Sequence, residues 1–284
     1  MSFEYNDFTQ LHIHTLILDD SKNTKPTLVL VHGFGCSAIH QVLLFKPLME
    51  HFRLGVIDQL GCGGSSRVES FGDEEVDTVD LVDEFMVGCL SAWLYEATQL
   101  EIVPELFFLA GHSFGGYLSA MLACKHKDRI EALFLNSAIG PEAVPKEYNF
   151  YEYRLSSSQT EPPNSYLAYY LKQEWDKGRT VLDVSRSLPE MVLNHYADQT
   201  YREDFAGCEE AMIEAQRDFW KAQFQKPSVT NKAVTLSFEY GCFAKHPLTS
   251  EDRFGDPKIK FPVAFAYGDR DWLGSANGAD LSSP

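Results

Sequence analysis

The chain has 284 residues, of which 44% are hydrophobic and 13% aromatic, so it can bury a sizeable core and is too apolar to be disordered. Its 41 acidic and 24 basic residues give a formal charge of −17, which opposes docking on nucleic acid phosphates or anionic lipid; any lipid contact must come from a local apolar patch. The chain opens without a basic segment followed by an apolar core, no apolar run approaches membrane-spanning length, and Cys36, Cys62, Cys89, Cys124, Cys208 and Cys242 form no C-x-x-C pair, so the expectation is a cytoplasmic protein with idle thiols and no metal or redox site.

In chain order, residues 11–18 alternate well enough to predict an early antiparallel strand. Thr27–Val31, Arg53–Ile57 and residues 106–110 are continuous apolar runs of the kind found in buried parallel strands. Helical stretches are predicted over about 40–51 and about 74–100, the second with acidic first turns suited to a helix N-terminus. Strands at 130–135 and 262–267 complete an alternation that predicts an α/β fold, a mostly parallel sheet with helices on both faces. Between 141 and 260 the alternation fails. Aromatic residues at largely helical spacing (148–153, 166–170 and 219–224), broken by Pro162-Pro163, Pro189 and Pro227, predict a helical lid above the carboxyl ends of the strands. Most of those aromatics are expected to pack the lid's own core. The organisation read from this is a first core part over 1–140, the lid over 141–260, and a last core strand with an acid-bearing loop over 261–284.

Three segments carry the chemistry. Gly111-His112-Ser113-Phe114-Gly115-Gly116 lies between the apolar run ending at Ala110 and a helical stretch beginning at Tyr117, which places a serine on a sharp strand-to-helix turn. Small residues are needed two before and two after it, and Gly111 and Gly115 supply them. The Ser113 hydroxyl would stand exposed above the sheet, with the Phe114 amide, first in the helix, aimed at any oxyanion formed there. Val31-His32-Gly33-Phe34-Gly35 follows the first buried strand, and its glycines let backbone approach a substrate carbonyl; Phe34 is the second candidate oxyanion donor. The glycine-rich stretch from Asp58 to Arg67 has neither a G-K-[ST] ending nor dinucleotide-binding spacing, so it reads as structural, and no nucleotide or metal cofactor is implied.

With these segments in order, and with Tyr267-Gly268-Asp269-Arg270-Asp271-Trp272 near the end, the chain resembles the α/β-hydrolase superfamily, and within it the alpha/beta-hydrolase domain proteins types 4 and 5. The resemblance covers about 26–140 and 258–280. It implies a serine carboxylic-ester hydrolase acting on lysophospholipids or N-acyl phospholipids, with lysophosphatidic acid acyltransferase activity in some members. It also implies a lipid acyl substrate and peripheral membrane or lipid-droplet contact through the lid. One branch of the group has lost the nucleophile and works as a lipase co-activator; this chain keeps Ser113. By the superfamily's G-x-x-D pattern the triad acid is Asp271, with Asp269 as the alternative.

No histidine follows Asp271, and the thirteen residues after it are too few for a crossover of roughly a dozen residues and the strand it would feed. His112 neighbours Ser113 and should project differently, His126 falls near the far end of the helix, and His195 and His246 lie in the lid segment. The H-x-x-x-x-D signature of acyl transfer lacks the same histidine, and the matching spacing of His14 and Asp19 carries no weight. The expectation is therefore a C-terminally truncated fold lacking its last strand and helix. The alternatives are a lipid-binding or lipase-regulating pseudoenzyme, or a truncated gene product.

Overall fold

In the computed structural model the described residues are 1–5, 8–18, 24–68, 71, 79–143, 165–226, 228–268 and 271. The strands β1 (Ser2–Tyr5) and β2 (Phe8–His12) pair antiparallel in a small sheet of their own. β3 (Thr15–Leu18) leaves it for the main sheet, where it runs antiparallel to β5 (Arg53–Ile57). The predicted strand over 11–18 is thus two strands. Ile13 is fully buried and exchanges backbone hydrogen bonds with Met1. The His14 amide donates to Ser65 Oγ and its carbonyl accepts from the Asp58 amide, so tertiary partners interrupt the ladder at this point.

The main sheet has the order β3-β5-β4-β6-β7-β8, with β4 (Thr27–Val31), β6 (Phe107–His112), β7 (Ile130–Asn136) and β8 (Val263–Ala266) parallel to β5. Every residue of β4 is buried, as its unbroken apolar run requires of a strand covered on both faces. A 3-10 turn (Ala38–Gln41) and α1 (Val42–Met49) return the chain from β4 to β5, and Phe45 of α1 packs on Leu30, Leu54 and Val56. The opposite face carries α2 (Val79–Gln99) and α3 (Phe114–Lys125). Residues 72–78, where the sequence predicts the start of α2, lie outside the described residues. In α3 the ten residues from Phe114 to Ala123 are all buried, so this helix is walled in on every side rather than amphipathic.

Because β5 and β6 flank β4 from opposite sides, the strand order reverses there, and the carboxyl ends of β4 and β6 open onto the crevice where sheets of this kind bind ligands. Val31 is paired with Gly111, so the segments that follow the two strands begin side by side.

Between β7 and β8 the described chain forms α4 (Ser165–Asp176), α5 (Val181–Ser185), α6 (Glu190–Asp204), α7 (Glu210–Phe224) and α8 (Val229–Ser237). The aromatic segment 148–153, Pro162-Pro163 and Pro227 lie outside the described residues. The two ends of this insertion run together: Leu248 N donates to Gly140 O, and Thr249 N to Pro141 O.

A buried polar cluster fastens the returning end to the helical face. Arg253 Nη2 donates to Asp83 Oδ2 of α2 at 2.6 Å, and Arg253 Nη1 reaches both Tyr117 Oη of α3 and the His246 carbonyl. Tyr117 Oη and Ser237 Oγ fill the remaining sites on the Asp83 carboxylate. Asp83 and Arg253 are 8% and 6% exposed, so neither charge has water to fall back on. Arg253→Met is expected to cost about 3–5 kcal/mol in urea unfolding by stranding a buried carboxylate, and Asp83→Leu combined with Arg253→Met to recover most of it, because removing both charges leaves neither unpaired. A single variant within 1 kcal/mol of wild type, to use roughly the value of a surface ion pair, would show that the cluster is solvated.

Candidate active site

Ser113 sits at φ 54°, ψ −122°, a backbone conformation that a residue with a side chain rarely adopts. Bonds on both sides hold it. Its amide donates to Asn136 O of β7 at 3.0 Å, and its carbonyl accepts from Gly116, Tyr117 and Ile139. The flanking glycines are required by close approach: a Cβ on Gly111 would lie 2.4 Å from Gly115 O, and one on Gly115 would lie 2.1 Å from His32 O. Gly116 presses on Ala138. The Phe114 amide opens α3 and so lacks a carbonyl four residues earlier in the helix to bond with. Ser113 itself is half-buried, and among the described residues its hydroxyl has no hydrogen-bond partner.

Gly33, after β4, packs directly on the turn. A Cβ there would meet His112 Nδ1 at 2.8 Å and Ser113 Cβ at 3.2 Å. The chain then turns, with Cys36 N donating to Gly33 O, so Phe34 and Gly35 form the bend beside Ser113, and Gly35 takes φ 71°. Phe34 is half-buried, and its amide has no acceptor among the described residues. His32, which the sequence grouped with these residues, turns the other way. It is fully buried, its Nε2 accepts from the Gln59 amide, and its Nδ1 therefore carries the proton it donates to Gly33 O. Burial holds the ring below the usual histidine range against the attraction of Asp58, so His32 is a neutral tie between two loops.

Asp58 is the other tie. Its buried carboxylate accepts from the Ala38 amide at 2.6 Å, the Gly64 amide at 2.9 Å and His14 Nδ1 at 2.7 Å. The glycine-rich stretch wraps around a protein carboxylate, as its structural reading requires. Among the described residues no disulfide joins the cysteines, and burial pushes the Cys36, Cys62 and Cys89 thiols up to about 12.

Asp271 follows β8, and its amide donates to Gly268 O. Burial, with the Asp271 charge beside it, pushes the Tyr267 hydroxyl up to about 12, and the same charge opposes the burial that holds His112 below the usual histidine range. Asp269, Arg270 and Trp272 lie outside the described residues. Among the described residues no histidine hydrogen-bonds to Ser113. His126 bonds Ser91, His246 bonds Asp252, His40 faces Tyr201, His12 and His14 are held by the glycine-rich loop, and His51 and His195 are exposed. His112 shares the α1 face of the sheet with Phe108 and Ala110, where an apolar groove of about 630 Å³ runs between α1 and β7. That groove lies on the face of the sheet rather than above Ser113.

The insertion contacts the site directly. Leu182 lies against Gly35, and the His40 ring packs edge-on to Tyr201 and Phe205 of the insertion at 5.1 and 6.0 Å. These contacts carry no local sequence signal, because the partners are far apart in the chain.

A family model described as alpha/beta hydrolase fold matches residues 26–281. A 1-acylglycerol-3-phosphate O-acyltransferase of Arabidopsis thaliana is 28% identical over 270 residues, covering 92% of this chain and 59% of that protein. A (lyso)-N-acylphosphatidylethanolamine lipase of Homo sapiens is 32% identical over 126 residues, covering 44% of this chain and 34% of that one. The chain therefore spans less than two thirds of the length of these relatives. Among solved structures, a thermophilic esterase from Thermogutta terrifontis superposes with a TM-score of 0.57 at 17% identity, over 97% of this chain and 84% of that one, a likeness of fold.

Burial against Tyr201 and Phe205 lowers the His40 imidazole to about 4. The unfolded chain binds this proton near pH 6.5 and the folded one only near 4, so the unfolded state holds more protons between those values and stability falls as pH drops through that window. His40→Phe is expected to flatten the loss between pH 6.5 and 4 by up to about 3 kcal/mol relative to wild type, read from urea midpoints. Equal slopes in the two proteins would mean that the ring is hydrated.

Proposed function

The chain belongs to the alpha/beta hydrolase fold family, and on that premise we propose that it is a serine carboxylic-ester hydrolase acting on lipid acyl esters or amides of the lysophospholipid or N-acyl phospholipid kind, with acyl transfer to lysophosphatidic acid as the variant of the same chemistry. The observation that carries this reading is the strained Ser113 turn beside the free amide of Phe34. In the proposed reaction Ser113 Oγ attacks the acyl carbonyl as its proton leaves to a base, and the Phe34 and Phe114 amides receive the oxyanion. The alcohol or amine departs with that proton, and water or an acceptor hydroxyl then takes the acyl group from the serine. Asp271 is the acid assigned to orient the base. The names of the plant acyltransferase and the human lipase support a lipid substrate and leave both acceptors open.

The segment 141–260 is the proposed lid. Leu188, Met191, Val192 and Tyr196 are exposed along the start of α6, with Met191 at 79%, and they form the apolar patch proposed to touch a lipid surface from the cytoplasmic side. With a charge of −17, attachment would rest on apolar contact rather than on anionic headgroups. No described helix is long and apolar enough to cross a membrane.

A second reading, a lipid-binding or lipase-regulating pseudoenzyme, draws on the absence of a described histidine bonded to Ser113. A fluorophosphonate probe separates the two. The hydrolase reading expects covalent labelling at Ser113, abolished by Ser113→Ala; the second expects no labelling, since loss of the base from a triad costs about 10⁶ in turnover. Labelling that persists in the Ala variant would move the nucleophile elsewhere.

The lipid substrate is tested by chain length. Medium and long acyl esters are expected to be hydrolysed with higher kcat/KM than acetyl esters, each buried methylene adding up to about 0.8 kcal/mol. Faster turnover of acetyl esters would count against a lipid.

A further inference from the structure

A single side chain of the insertion bridges the loops that follow β4 and β5, the first of which packs on the Ser113 turn. Gln223, near the end of α7, accepts at Oε1 from the Gly63 amide at 2.7 Å and donates from Nε2 to the Cys36 carbonyl at 2.8 Å. Gln216, seven residues earlier on the same helix, donates from Nε2 to the Ile39 carbonyl at 3.0 Å. Two carboxamides on one helix thus hold the backbone of the segment 33–41 from outside, where Asp58 holds it from inside through the Ala38 amide.

Phe34 lies between two anchors. On one side Gly33 is wedged against His112 and Ser113, with no room for a methyl group; on the other, the Cys36 carbonyl is held by Gln223. Gly33 O, on the same peptide as the Phe34 amide, accepts from Cys36 N and from His32 Nδ1, so that peptide cannot rotate without breaking the turn that Gln223 holds at its Cys36 end. A carboxamide is suited to this place because it donates and accepts at once, whereas a carboxylate would only accept and would face the Cys36 carbonyl with like charge.

We propose that Gln223 is a positioning residue that sets the Phe34 amide toward the acyl oxygen, so that the oxyanion site is complete only while α7 is docked. The inference rests on the hydrolase reading. The insertion then has two tasks, covering the substrate and finishing the catalytic backbone, and a displacement of α7 weakens transition-state binding without moving Ser113.

The experiment uses Gln223→Met, which removes both bonds at similar volume, and Gln223→Glu, which keeps only the acceptor. Hydrogen exchange at the Cys36 and His40 amides, bonded inside the segment, and at the Ala38 amide, bonded to Asp58, reads the loop without any appeal to activity. Both variants are expected to lose about tenfold in protection there, a scale set by one or two hydrogen bonds, while amides of the β4 ladder stay unchanged. With a soluble short-chain ester, kcat is expected to fall about tenfold with KM unchanged, because an oxyanion contact is made in the transition state. Wild-type protection in both variants overturns the proposal, and so does a rise in KM at constant kcat. If wild type turns over no ester, the hydrolase reading fails, and lost protection still supports the Gln223 clamp on the loop.

Discussion

The backbone of Ser113 stands in a conformation that costs on the order of 1–3 kcal/mol, and the surrounding structure is organised to hold it there. The hold is steric as much as hydrogen-bonded. Gly115 is so close to the His32 carbonyl that α3 can approach the end of β4 only where a glycine replaces a side chain. That approach brings the end of β4 beside the end of β6, and the pairing of Val31 with Gly111 sets the register of the two loops. A rigid sheet supplies the distance, and the loops supply the donors.

Around that constraint the polar groups divide their work. His32 and Asp58 sit where a reader of motifs would look for catalysts, yet they hold neighbouring loops in place. His32 uses both ring nitrogens, and the Asp58 carboxylate takes three donors. Among the described residues, the Ser113 hydroxyl and the Phe34 amide, which lie close together at the strand ends, are left without such partners. A site of this kind is marked by what remains unspent when the neighbouring polar atoms have been satisfied.

The strands and the serine turn were legible because their signals are local. Thr27–Val31 is an unbroken apolar run, and Gly111 and Gly115 bracket Ser113 at the spacing that the turn needs. Asp271 is assigned only through a family pattern, and Asp269, its alternative, lies outside the described residues. The break at Ile13 and His14 was not legible, because it is made by Ser65 and Asp58, which lie far along the chain and carry no periodic signal. His32 was grouped with Phe34 and its glycines by adjacency, and only its partners show that it faces away. The grip of Gln216 and Gln223 on the first loop was equally hidden, since glutamine on a helix usually means a solvated face and the atoms it meets are backbone.

The insertion leaves and re-enters the sheet through one doorway, where Gly140 and Pro141 bond Leu248 and Thr249. To the sheet, the whole excursion is therefore a closed loop whose length enters the folding free energy only logarithmically. Recombination can exchange the helices beyond that doorway for longer, shorter or differently greased ones while the strands keep their register. A lineage built this way can change its diet without relearning how to fold, provided each new cover still offers the first loop something to hold.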